Sequence, residues 1–102
     1  MAYKLRFVQH FDKRHEKEFW ECEKKFAELE KADPGLKRGR RFAPILGKEP
    51  VNTMIWEGEY ESEKEALEAL AYLSANDEHD KLLDEQIKYM RDNYVELYQE
   101  KM

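Results

Sequence analysis

The sequence has one cysteine, Cys22, three prolines, four glycines and three histidines among its 102 residues. A single cysteine excludes an intrachain disulfide and a cysteine-rich metal site. With so little proline and glycine, neither a linker nor a low-complexity tract is found, and there are no internal repeats. No apolar run approaches the roughly 20 residues needed to span a bilayer. The first residues enter strand-like sequence directly, with no basic leader followed by an apolar stretch, so no targeting segment is expected. His10, His15 and His79 follow no H-x-x-x-H or carboxylate–histidine spacing, which gives no metal site. An excess of positive charge is missing too. Lys and Arg number 18 against 23 Asp and Glu, and a net charge of −5 disfavours nucleic acid and anionic membranes as partners.

What is present is charge and aromatic bulk. Charged residues make up 40% and apolar residues 41%, while two Trp, six Tyr and five Phe supply material for a packed core. A chain of this size holds one core. The expectation is one domain over 1–102, soluble and cytoplasmic.

Hydrophobic periodicity divides the chain. Tyr3, Leu5, Phe7, Gln9 and Phe11 alternate with Lys4, Arg6, Val8 and His10, which predicts a half-buried strand over 3–11. Over 15–32 the period becomes helical, with Phe19, Cys22, Phe26 and Leu29 on one face, widened by Trp20 and Ala27. Pro34 and Gly35 end that helix. Segments 39–46 and 51–60 are extended and flank a Gly47-Lys48-Glu49-Pro50 turn, so a β-hairpin is expected, with Pro44 marking an edge or a bulge. Ser62 opens a capping box with Glu65, and Ala66, Leu67, Leu70 and Leu73 form the buried stripe of a second helix. Asn76-Asp77 caps a further helical segment carrying Leu82, Leu83, Ile87 and Met90. The last residues fit two readings: helical spacing continues through Tyr94 and Leu97, yet Asp92-Asn93 reads as a turn and 94–98 as a short fourth strand. The strand is preferred.

The order β-α-β-β-α-(α)-β is the split βαβ of an α+β, ferredoxin-like fold, a four-stranded antiparallel sheet with helices on one face. Met54, Trp56 and Tyr60 fall on one face of the third strand and Val51, Thr53 and Ile55 on the other. Both faces are partly apolar while the helices cover one, so a homodimer through the free face is expected.

Three stretches carry a resemblance: Tyr3-Lys-Leu-Arg6, Asn52-Thr-Met-Ile-Trp-Glu-Gly-Glu-Tyr-Glu-Ser62, and Ala75-Asn-Asp-Glu-His79. The chain resembles the dimeric α/β-barrel superfamily, in pattern its NIPSNAP-like and antibiotic-biosynthesis-monooxygenase-like domains. That resemblance implies a barrel dimer and a small-molecule pocket between sheet and helices. The superfamily spans cofactor-free oxygenases, haem-degrading enzymes, isomerases and peroxidases, so fold alone does not carry the chemistry. In the haem-degrading branch an Asn on the first strand, a Trp near the end of the third and a helical His recur. Here those positions fall on Gln9 or His10, on Tyr60, and near Leu82 or Leu83 with His79 a turn earlier. The set does not match, and no cofactor is expected.

The candidate catalytic residues are His10, His79 and Arg41. The histidines would approach the pocket mouth as general base and orienting group, and a His or Arg would stabilise a substrate anion. Gln9, Met54, Trp56 and Tyr60 are the candidate ligand-binding residues, the aromatic pair forming a wall for a flat hydrophobic or anionic ligand. The other reading of Trp56, and the preferred one, is core packing beneath Phe19, Phe26 and Leu70. Glu57 and Glu59 project from the opposite sheet face, where Arg41 and either Arg6 or Lys4 would pair with them. Lys37-Arg38-Gly39-Arg40-Arg41 concentrates positive charge, but strand alternation splits it between two faces and no aromatic residue interleaves to stack bases. Cys22 reads as a buried thiol. The function expected is a pocket protein, a cofactor-free monooxygenase or isomerase. The alternative is a non-catalytic homodimeric binding or interaction module.

Overall fold

Alternation, capping and turn chemistry resolve into seven main elements in the computed structural model, which describes residues 2–102. They are β1 (Tyr3–Phe11), α1 (Glu16–Ala32), β2 (Arg40–Phe42), β3 (Thr53–Tyr60), α2 (Glu63–Ser74), α3 (Asp77–Gln86) and β4 (Met90–Gln99), with 3₁₀ turns at Lys13–His15 and Ile87–Tyr89. The sheet order is β2-β3-β1-β4 and every neighbouring pair is antiparallel, which is the ferredoxin-like arrangement.

Local chemistry sets the helix limits. Asp33 leaves helical geometry at φ −106°, ψ 106°, as the residue before a proline must. Ser62 Oγ accepts the Glu65 N–H at 3.1 Å, and Glu65 Oε2 accepts the Glu61 N–H at 3.2 Å. Asn76 Oδ1 accepts the His79 N–H at 2.9 Å and starts α3.

Strand parity divides the sheet. Leu5, Phe7, Gln9 and Phe11 of β1 share the helix-covered face with Met54, Trp56 and Tyr60, and Phe7 stands opposite Trp56. Phe19 and Ala66 close the core from α1 and α2. The other face presents Lys4, Arg6, Val8 and His10, with Ile55, Glu57 and Glu59 beside them and Tyr94, Glu96 and Tyr98 on β4. Among the described residues no helix packs there, and none is long and apolar enough to cross a membrane.

Several expectations need correction. The second strand runs over Arg40–Phe42 instead of 39–46, and residues 43–52 are irregular. Pro44 has no N–H for a ladder and Gly47 takes φ 144°, so pairing ends at Phe42–Ile55. β2 is nonetheless an edge strand, as Pro44 suggested. Leu67 is 50% exposed because the stripe that packs runs through Ala66, Ala69 and Leu70, and a neighbour in sequence points about 100° away. The helical segment stops at Gln86, a 3₁₀ turn follows, and β4 begins at Met90. Asp92-Asn93 therefore lies inside a strand and not in a turn, paired with His10 and Gln9.

These positions predict a sharp contrast. Leu5→Ala is expected to cost about 2–5 kcal/mol in urea unfolding, while Leu67→Ala should stay within about 0.5 kcal/mol of the parent.

Candidate functional site

Between the sheet and α1 lies a cavity of about 50 Å³, with Phe7, Gln9, Met54 and Trp56 on its strand side and Phe26 and His79 among its helical neighbours. Trp56 is its central wall. The indole crosses Gly58 and abuts Gly39: a Cβ at Gly39 would sit 2.0 Å from the ring, and one at Gly58 2.6 Å. Both positions need glycine because the ring occupies the space a side chain would take. Phe7 packs beside the indole, tilted 40° to it with centroids 5.0 Å apart. The Tyr60 hydroxyl is pushed up to about 12 by burial, so it stays a neutral phenol.

The polar side of the site comes from α1 and β2. Glu23 and Glu30 stand seven residues apart on the buried face of α1, and Arg41 reaches between them. Its Nε donates to Glu23 Oε2 at 2.6 Å, and its Nη1 and Nη2 donate to Glu30 at 3.2 and 2.5 Å. Glu30 Oε1 also accepts the Gly39 N–H at 3.0 Å and Trp56 Nε1–H at 3.3 Å, while Glu23 Oε1 accepts from buried Gln86 at 2.8 Å. Burial works against the Arg41 charge, but the two glutamates hold its proton more firmly than usual.

His79 completes the wall. The Asn76 cap fixes its backbone, and its ring lies 4.9 Å from Phe26, centroid to centroid. Burial pushes the imidazole below its ordinary value of 6.5, so it is neutral at pH 7. Its Nδ1 is buried without a hydrogen-bond partner among the described residues, and so is Gln9 Oε1.

Six of the seven residues singled out from sequence therefore meet at one cavity: Gln9, Arg41, Met54, Trp56, Tyr60 and His79. The seventh, His10, points to the opposite sheet face, because alternation along β1 sends Gln9 inward and His10 outward. Arg41 also changes sides. It stands opposite Trp56 and under α1, and Arg40 occupies the place opposite Glu57. On the open face Glu57 is paired with Arg6 Nε at 2.8 Å and Lys4 Nζ at 3.3 Å. Glu23 and Glu30 escaped the sequence reading. Their signal was the 19, 23, 26, 30 spacing, which puts both carboxylates on the apolar stripe of α1.

Two substitutions test the architecture of this site. Arg41→Ala leaves the Glu23 and Glu30 carboxylates together without a cation, and a loss of about 3–5 kcal/mol in denaturant unfolding is expected. Gly39→Ala should displace the indole, costing about 1–3 kcal/mol and shifting tryptophan emission.

No protein-family sequence model and no curated protein sequence matches the chain. Solved structures do. A NIPSNAP family protein from Agrobacterium tumefaciens superposes with a TM-score of 0.79 at 12% identity, covering 99% of this chain and 94% of that one. An uncharacterised NIPSNAP-like domain protein from Burkholderia xenovorans gives 0.77 at 16% identity, covering 98% and 85%. An antibiotic biosynthesis monooxygenase gives 0.74 at 12% identity, covering 98% and 99%. The chain thus has the ferredoxin-like fold shared by NIPSNAP family proteins and antibiotic biosynthesis monooxygenases.

Proposed function

We propose that the protein binds a small, flat, uncharged molecule in the cavity beneath Trp56 and acts on it as a cofactor-free oxygenase or isomerase, with two chains joined through their open sheet faces. The observation that carries this reading is the pair Gln9 and His79: in a cavity whose charged groups Glu23, Glu30 and Arg41 are matched to one another, each of the two has a buried polar atom left without a partner among the described residues. Such atoms orient a ligand that donates hydrogen bonds. A neutral ligand fits better than an anion, since Arg41 already stands between two carboxylates. His79, neutral at pH 7, would take a proton from the ligand's O–H or C–H, leaving a delocalised anion beside Trp56. Return of the proton elsewhere is isomerisation, and reaction of the anion with dioxygen is oxygenation.

One observation favours the rival reading, a non-catalytic dimeric module. A cavity of about 50 Å³ suits a few waters, whereas ligand sites for ring systems run to roughly 300 Å³ and more. The enzyme reading therefore requires the cavity to widen when a ligand enters.

Native mass spectrometry of freshly purified protein tests both. A species at twice the 12.4 kDa chain mass with an added small mass is expected. The added mass should fall at least tenfold in occupancy in His79→Phe with the fold intact by circular dichroism. A bare dimer indifferent to that variant sinks the pocket reading in favour of the module, and a bare monomer sinks the barrel.

A further inference from the structure

On the open sheet face, through which the proposed function joins two chains, the end of β1 carries a cluster that the pocket leaves unused. His10 stands in register between Thr53 of β3 and Asp92 of β4. Its Nδ1 meets Asp92 Oδ1, and its Nε2 lies 2.5 Å from Glu49 Oε1. The second Glu49 oxygen accepts from the Tyr94 hydroxyl at 2.5 Å, and the Tyr94 ring is 5.9 Å from the imidazole. The His10 and Glu49 side chains are 18% and 23% exposed, Asp92 71%.

Both ring nitrogens therefore face carboxylate oxygens. A neutral imidazole has one N–H, and an ionised carboxylate has none to give. Only the imidazolium donates on both sides. The titratable groups against the ring are Glu49 from the β2–β3 loop and Asp92 and Tyr94 from β4, while β3 offers Thr53, which carries no charge. Lys48 adds a weaker pull on Glu49 from its own loop, and among the described residues His10 alone forms an ion pair with either carboxylate.

Glu49 is also what fastens the loop. Residues 43–51 have no regular structure, and among the described residues Glu49 makes their hydrogen bonds to the rest of the chain. Ile45 and Leu46, at 100% and 96% exposure, make no packing anchor. Asn52, just beyond, is pinned independently: its Nδ2–H donates to Phe11 O at 2.7 Å, and its carbonyl accepts the Phe11 N–H at 3.0 Å. The loop is thus a span closed at both ends and held between them at one carboxylate.

We propose that His10 is a protonation-dependent latch for the 43–51 loop: as imidazolium it bridges Glu49 and Asp92 and seats the loop on the sheet, and on losing its proton it loosens the loop, leaving Glu49 to the Tyr94 hydroxyl. In one neutral tautomer the Nε2 lone pair faces Glu49 and repels it. In the other the bond survives as a neutral donor to the carboxylate, weaker than the charge-assisted one. Both loosen the loop. The hydrogen bond to Glu49 raises the His10 value above 6.5, burial opposes it, and Asp92 raises it further. Stability from this contact is therefore complete below the unfolded value and is lost as pH rises through the higher folded one.

The test is ¹H–¹⁵N NMR from pH 5 to 9, following the His10 ring protons with the amides of Gly47, Lys48, Glu49 and Val51. All are expected to move with one midpoint above 6.5, and trypsin cleavage after Lys48 should rise at least threefold across it. His10→Gln should abolish the step in the loop amides. Asp92→Asn, which leaves the Glu49 contact in place, should lower the ring and loop midpoints together, so the latch remains testable if His10→Gln fails to fold. Loop amides that ignore the His10 midpoint, or a His10 midpoint at or below 6.5, overturn the proposal.

Discussion

Arg41 between Glu23 and Glu30 is the interaction on which the other features rest. β2 has three residues and pairs on one side only, too little to hold an edge strand in place by its own ladder. The guanidinium supplies what the ladder lacks, joining β2 to α1 through three hydrogen bonds with little access to water. A buried ion pair contributes little net stability compared with a well-packed apolar replacement, but it tolerates few geometries. Here it fixes which side of β2 faces the helix. Since Glu30 also accepts from Gly39 and Trp56, the same carboxylate sets where the chain enters β2 and how the indole lies.

From that constraint follows the division of labour between the two sheet faces. The covered face has an aromatic wall, matched internal charges and two polar atoms left over. The open face carries its charges in partly buried pairs, Lys4 and Arg6 on Glu57, with His10 at one end. The two histidines that looked equivalent in sequence are thus opposites: burial pushes the His79 value down, and the carboxylates of Glu49 and Asp92 push the His10 value up. One chain uses environment alone to move two imidazoles in opposite directions.

Much of this was legible without coordinates. β1 shows in its strict alternation, α1 in the 19, 22, 26, 29 spacing, and the starts of α2 and α3 in Ser62 and Asn76, because each signal is local. The features that misread are those where parity or length depends on distant partners. Arg40 and Arg41 are adjacent, and nothing in the pair says which one meets a helix until α1 offers Glu23 and Glu30. His10 and Gln9 exchange sides by a single step of register. Residues 43–46 have strand-like composition but face no partner beyond Ile55. β4 began earlier than its β-branched and aromatic core because β1 supplied pairing out to Met90.

β4 itself has a consequence for how the molecule behaves in a crowd. It is an edge strand over Met90–Gln99, with one side of its backbone unpaired and Tyr94, Val95 and Tyr98 each between a third and a half exposed. Such an edge is a template for adding a strand from another chain. Arg91, Asp92 and Glu96 interrupt it with charges of both signs, a pattern that makes stacking of identical edges in register bring like charges together. The charge that makes the composition of this chain unusual thus also keeps its longest open edge from seeding aggregation.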